Sequence, residues 1–165
     1  PFLLYQLMLM NMLPKSKKQK GKRLEKYVAR ELKKVFDFVY SRADSGSGKF
    51  HKEDITLPDY VPLSIECKNQ AELKIETWFR KMEENCPADK YPVLIYKTDY
   101  QEPKVVMRIS DFLNFLSGSK QYYDLPFKDL LGYEFSFKIT FEFKDFVDLL
   151  LKVFKVKQKK YDKKR

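Results

Sequence analysis

Glu53-Asp54-Ile55-Thr56-Leu57-Pro58-Asp59-Tyr60-Val61-Pro62-Leu63-Ser64-Ile65-Glu66-Cys67-Lys68 reads as two strands joined by a proline-bearing turn. The strands are expected over Glu53 to Leu57 and Leu63 to Lys68. In an antiparallel pair closed by a symmetric turn, facing residues have a constant index sum. Centring the turn on Tyr60 sets Asp54 opposite Glu66, Ile55 opposite Ile65, Thr56 opposite Ser64 and Leu57 opposite Leu63. One face is then polar and the other apolar, so the register is self-consistent.

Side chains alternate along a strand, so Lys68 shares a face with Glu66 while Cys67 points into the core with Ile65. Facing residues have Cβ atoms about 4.5 to 5.5 Å apart, close enough for Asp54 and Glu66 to share one divalent cation. Hard oxygen ligands of this kind favour Mg²⁺, with Mn²⁺ able to substitute. Two such carboxylates repel each other, and Lys68 alone would also relieve them as an ordinary strand ion pair.

Outward from the hairpin, Leu24, Val28, Leu32 and Val35 or Phe36 recur at helical spacing, so Lys17 to about Phe36 is expected as an amphipathic helix with Glu25 beside its apolar stripe. Phe38 to Tyr40 is a short β-prone segment, and Ser41 to Lys49 is a flexible loop by its Ser45-Gly46-Ser47-Gly48 composition. Leu73 to Asn85 is helical and ends at Pro87, with Ile75, Trp78, Phe79 and Met82 on one face. That stripe reads as core or subunit interface rather than a platform for stacking bases. Pro92 to Tyr96 and Lys104 to Ile109 are further strands, and Asp111 to Leu116 is a short helix. Tyr133, Phe135, Phe137, Ile139, Phe141 and Phe143 alternate with polar residues, which predicts a half-buried strand of about eleven residues. A helix from about Lys144 to Phe154 and a basic tail follow.

The formal charge of +10 is unevenly spread. Lys15 to Lys26 carries +6 and Lys152 to Arg165 carries +7, leaving −3 on the rest. Two basic arms on a nearly neutral body suit a polyanion, because each Lys or Arg set on a phosphate releases condensed counterions. Solvated, disordered ends are the plain alternative. Cys67 and Cys86 form no disulfide framework and no zinc-ligand spacing, which suggests a reducing, cytoplasmic setting. Pro1 to Leu13 is apolar but too short to span a bilayer. It reads either as an extension ahead of a later start at Met8, Met10 or Met12, or as a short packing helix. No phosphate-binding glycine loop and no Ser/His/Asp set is present, and His51 is the single histidine.

Gly21-x-x-x-Glu25, the loop Ser45-Gly-Ser-Gly-Lys-Phe-His-Lys-Glu-Asp54-Ile55 and Ile65-Glu-Cys-Lys-Asn-Gln70 together resemble the PD-(D/E)xK nuclease superfamily. Within it they look most like the archaeal Holliday-junction resolvases and related phage endonucleases, over about Lys17 to Leu116. The literal Pro58-Asp59 is not the superfamily's "PD". Asp59 lies in the turn, and seven extended steps from it to Glu66 span about 23 Å, too far for a shared metal.

The resemblance implies an α/β, restriction-endonuclease-like core, a central mixed sheet flanked by helices, here with an extra C-terminal strand and helix. Residues 1–16 would be an extension, 17–156 one nuclease domain (core 17–116, addition 117–156) and 157–165 a basic tail. It further implies that Asp54, Glu66 and the Cys67 main-chain carbonyl bind Mg²⁺, with Glu25 completing the site or lying in its outer sphere. Lys68 would position or help deprotonate the attacking water, and Gln70 would orient Lys68 or a phosphate. Ser45 or Ser47 matches a loop serine beside the scissile phosphate, and Lys22, Arg23, Arg42, Lys49 and Lys52 are the expected DNA contacts. The implied partners are a four-way DNA junction and a second copy of the chain, since two symmetric nicks need two sites related by a two-fold axis. A duplex-cutting restriction or repair nuclease, or a DNA-binding module without catalysis, are the alternatives.

Overall fold

The computed structural model describes residues 17–45, 53–118 and 138–162. Pro1 to Leu13, the loop residues Ser47, Lys49, His51 and Lys52, and Tyr133 to Phe137 of the expected long strand lie outside the described residues. In chain order the elements are α1 (Lys17–Leu32), β1 (Tyr40–Ser41), α2 (Arg42–Ser45), β2 (Ile55–Thr56), β3 (Leu63–Asn69), α3 (Ile75–Asn85), β4 (Tyr91–Lys97), β5 (Lys104–Arg108), α4 (Ile109–Ser117), β6 (Lys138–Glu142) and α5 (Phe143–Asp162).

The six strands form one sheet in sequence order, β1-β2-β3-β4-β5-β6. Every neighbouring pair is antiparallel except β3 and β4, which run parallel from Leu63↔Tyr91 to Asn69↔Lys97. A parallel pair needs a crossover, and α3 supplies it. The sheet is thus mixed and flanked by helices, an α/β restriction-endonuclease-like architecture.

Alternation along the strands sorts the two faces. Ile65 and Cys67 of β3, Val93 and Ile95 of β4, and Val105 and Met107 of β5 bury against Leu24, Val28 and Leu32 of α1 and Phe143, Phe146 and Leu150 of α5. Leu94, Tyr96 and Val106 point the other way and bury against Trp78, Phe79 and Met82 of α3. Trp78 is therefore a core residue, as its helical spacing suggested. Ile139 and Phe141 of β6 pack on the α1/α5 side, so the C-terminal strand and helix complete the main core of this same sheet.

Some boundaries shift for identifiable reasons. α1 stops at Leu32 as an α-helix and runs out in turns, with Phe36 N–H reaching the Leu32 carbonyl at 3.0 Å. α3 ends at Asn85, since Cys86 precedes Pro87 and takes an extended conformation, φ −70 and ψ 131. α4 is closed by Gly118 at φ 67, a left-handed conformation that suits glycine. α5 continues to Asp162, so residues 157–162 of the expected tail have helical backbone.

The segment read as a flexible loop from Ser41 begins as the helical turn α2. Ser41 Oγ accepts the Asp44 N–H at 3.2 Å and donates to Asp44 Oδ2 at 2.7 Å, a local cap in the Ser-x-x-Asp pattern. No described helix is long and apolar enough to cross a membrane.

Candidate active site

The hairpin register is met at Ile55↔Ile65, the pairing expected from a turn centred on Tyr60. The turn itself is closed by Val61 N–H to the Pro58 carbonyl at 2.9 Å, and Asp59 within it is exposed. The ladder, however, ends at Ile55. In a continuing register Cys67 N–H would bond the backbone of Glu53, but the side chain of Asp54 takes it instead, with Oδ2 accepting at 2.8 Å. The Asp54 carbonyl turns the opposite way and accepts Arg42 N–H at 2.8 Å. Asp54 is thus held from both sides exactly where β2 and β3 part, which is why β2 is only two residues long.

The parting opens a cleft of about 470 Å³. Lys18, Gly21, Lys22 and Glu25 of α1 form one wall, and Lys68, Asn69 and Gln70 at the end of β3 form another. Arg42, Ala43, Asp54 and Cys67 complete the lining.

Asp54 is only 1% exposed. Among the described residues its buried Oδ1 has no hydrogen bond, and the Arg42 guanidinium lies against it as an ion pair. The contact is ionic rather than a hydrogen bond of ordinary geometry. Arg42 also comes within 4.0 Å of Glu25 Oε1, so one guanidinium spans two carboxylates. Burial pushes the Asp54 carboxyl above its ordinary pKa, and the charge of Glu66 adds to this against the Cys67 N–H, Arg42 and Lys68. Glu25, 8% exposed, is raised in the same way by burial and then by Asp54. The Cys67 thiol, buried among the three acids, is pushed well above its usual value, chiefly by desolvation, and behaves as a core group.

Glu66 and Lys68 leave β3 on the face opposite α1 and form a close ion pair with each other. Glu66 does not line the cleft, whereas Lys68 does. Its charge nevertheless reaches Asp54 and Glu25.

Among the described residues, no three His, Cys, Asp or Glu side chains are grouped tightly enough to hold a metal ion. The donor chemistry still fits a hard divalent cation. Neighbouring acid charge raises the proton affinity of both Asp54 and Glu25, and a buried Asp54 oxygen has no hydrogen bond among the described residues. The Cys67 N–H points at Asp54, and in a strand the C=O of the same residue points the same way, which directs that carbonyl to the Asp54 side. Arg42 and Lys68 supply the positive charge here.

Of the residues expected at the site, Glu25, Asp54, Cys67, Lys68, Gln70, Lys22 and Arg42 line the cleft, while Glu66 does not. Arg23 is exposed on α1 outside the lining, and Ser45 closes α2. Ser47, Lys49 and Lys52 lie outside the described residues. Lys18 and Asn69 escaped the sequence reading. Lys18 was legible from its spacing, being four and seven residues before Lys22 and Glu25 and so on their face of the helix. Asn69 was not, because its role depends on a distant partner: its Nδ2 donates to the Lys20 carbonyl at 3.2 Å and ties β3 to α1.

A family model described as "Phage putative PDDEXK endonuclease" matches residues 16–162. No curated protein and no solved structure matches the chain. The family match spans both the mixed sheet and the end of it where Asp54, Glu66 and Lys68 stand, and on that ground the chain belongs to the phage PDDEXK endonuclease family, within the PD-(D/E)xK nuclease superfamily.

Proposed function

We propose that the protein is a Mg²⁺-dependent, structure-selective endodeoxyribonuclease that acts as a homodimer and places paired symmetric nicks in four-way DNA junctions. The observation that carries the metal-dependent chemistry is Asp54: a buried carboxylate whose Oδ1 has no hydrogen bond among the described residues and is met by the Arg42 cation, held at the floor of a cleft with basic walls. Asp54, Glu66 and the Cys67 carbonyl would hold the ion, with Glu25 as a further ligand or an outer one, and Mn²⁺ would serve in its place. The ion supplies Lewis acidity toward the scissile phosphate and a lowered pKa for the attacking water.

The chain's own groups do the rest. Lys68 orients the water and offsets charge on the pentavalent phosphorus as the P–O bond breaks. Glu66 holds the Lys68 ammonium in place through their ion pair. Gln70 and Lys22 on the cleft walls hold phosphate oxygens, joined by Arg42 once it leaves Asp54. Arg23, Ser45 or Ser47, Lys49 and Lys52 extend the DNA contacts. Residues 17–156 act as one nuclease domain. A two-fold dimer would present two such clefts to matching strands of a junction. The setting is the cytoplasm, that of the host cell for a phage protein.

Incubation with Mg²⁺ and a synthetic four-way junction tests this. Paired symmetric nicks, abolished by Asp54→Ala and by chelator, are expected. Preferential cutting of a linear duplex at a defined sequence would move the protein to restriction or repair chemistry. A second reading, a DNA-binding module without catalysis, draws on one observation: Arg42 and Lys68 already neutralise Asp54 and Glu66. It requires that wild type cut no DNA with any divalent cation.

A further inference from the structure

We infer that the face of α1 bearing Lys18, Gly21 and Lys22 is the seat of the DNA backbone beside the scissile phosphate, and that the bare backbone at Gly21 is what lets the strand approach. This rests on the nuclease reading and adds to it where the substrate lies.

Three observations meet here. Gly21 sits inside a sixteen-residue helix, where glycine costs stability relative to alanine. Among the described residues nothing asks for it, since a Cβ built there would meet none of their atoms within 4 Å. The space it leaves open is the cleft, whose wall includes Gly21 and ends at Glu25 one turn on.

The charges on α1 divide the same way. Lys20 and Lys26 are held by Asp99 at 2.7 Å and Asp44 at 2.9 Å. Lys18 and Lys22, one turn apart on the cleft side, make no ion pair among the described residues. Two cations flanking a bare patch of helix suit an anionic phosphodiester backbone better than a small apolar ligand. The wall is also fixed in place. The Asn69 bond to the Lys20 carbonyl and the Lys20 to Asp99 ion pair both anchor this part of α1.

Binding of a fluorescent four-way DNA junction, followed by anisotropy in EDTA over a salt series, separates this from catalysis. Gly21→Ala is expected to melt about 2 °C higher than wild type. It should bind the junction about tenfold more weakly, as a methyl group intrudes on the contact. The Lys18→Ala/Lys22→Ala double variant should lose about two units of salt slope. Wild-type affinity in Gly21→Ala overturns the inference, as does an affinity loss accompanied by a lower melting temperature, or an unchanged salt slope in the double variant. Wild type with no affinity for DNA sinks the nuclease reading itself, a different and separately visible result.

Discussion

The guanidinium of Arg42 lies against Asp54 Oδ1 and 4.0 Å from Glu25 Oε1, so a permanent positive charge stands between the two most buried acids of the cleft. Its backbone fixes it there, because Arg42 N–H donates to the Asp54 carbonyl at 2.8 Å across the β1/β2 edge. Removing this cation leaves Asp54, 1% exposed, with only the Cys67 N–H and the Lys68 charge to offset its own. The Arg42 side chain is 41% exposed, which tempers the cost to roughly 1–2 kcal/mol. Arg42→Ala should therefore lower the melting temperature in EDTA, and Mg²⁺ should restore more of the loss than it adds to wild type. Calorimetric titration should find tighter Mg²⁺ binding by the variant, since the ion no longer competes with a guanidinium. Equal Mg²⁺ affinity in both proteins would count against Arg42 as a competing cation.

Asp54 and Glu25 both have raised pKa values, for burial first and for neighbouring acid charge second. A carboxyl so perturbed holds its proton more tightly folded than unfolded. Its charge opposes folding fully above the folded pKa, and the opposition fades as pH falls toward the ordinary values of 3.8 and 4.5. Asp54→Asn keeps an acceptor for Cys67 N–H while removing the charge. In EDTA at neutral pH it should melt above wild type, with the gain shrinking through the acid range and gone by about pH 4. Thermal melts at a series of pH values check this, and a variant less stable at neutral pH contradicts it. Cutting by wild type should fall over the same acid window, because protons then compete for the site.

How much of this was legible in the sequence follows from the range of each interaction. The Ile55↔Ile65 register was readable because alternation and turn length are local. The core role of Trp78 was readable from helical spacing for the same reason. That β2 stops after two residues was not, since it depends on a side chain outcompeting a backbone carbonyl for Cys67 N–H. Nor was Arg42's position between Asp54 and Glu25, which comes from three elements meeting. The Ser-x-x-Asp cap at Ser41 to Asp44 was a local signal that Ser/Gly composition obscured.

Lys68 and Glu66 form an ion pair that a strand could carry for no reason but charge balance. The two roles separate on substitution. If Lys68 acts on the water and the phosphorus, Lys68→Ala should slow cleavage by about 100-fold or more at saturating DNA, while duplex affinity changes only a few-fold. A charge-balance role predicts the reverse pattern: near-normal cutting with a shift in stability. Single-turnover cleavage beside anisotropy distinguishes them.

Phe146 of α5 tests whether the C-terminal addition belongs to the nuclease core. Its side chain is fully buried, its ring lies 5.6 Å from that of Phe141 on β6, and it shares a cluster with Ile65 and Cys67 of β3. Deleting a buried aromatic ring removes its transfer energy and leaves a cavity, so Phe146→Ala should cost about 3–5 kcal/mol. Leu113, exposed on α4, should cost little when changed to Ala. Urea unfolding should show the Phe146→Ala midpoint falling sharply with the slope unchanged. Because the same cluster backs Cys67, whose N–H holds Asp54, cleavage by Phe146→Ala should disappear at the urea concentration where the whole chain unfolds. A first transition that releases α5 while nuclease activity survives would mean that residues 17–116 hold the cleft without help.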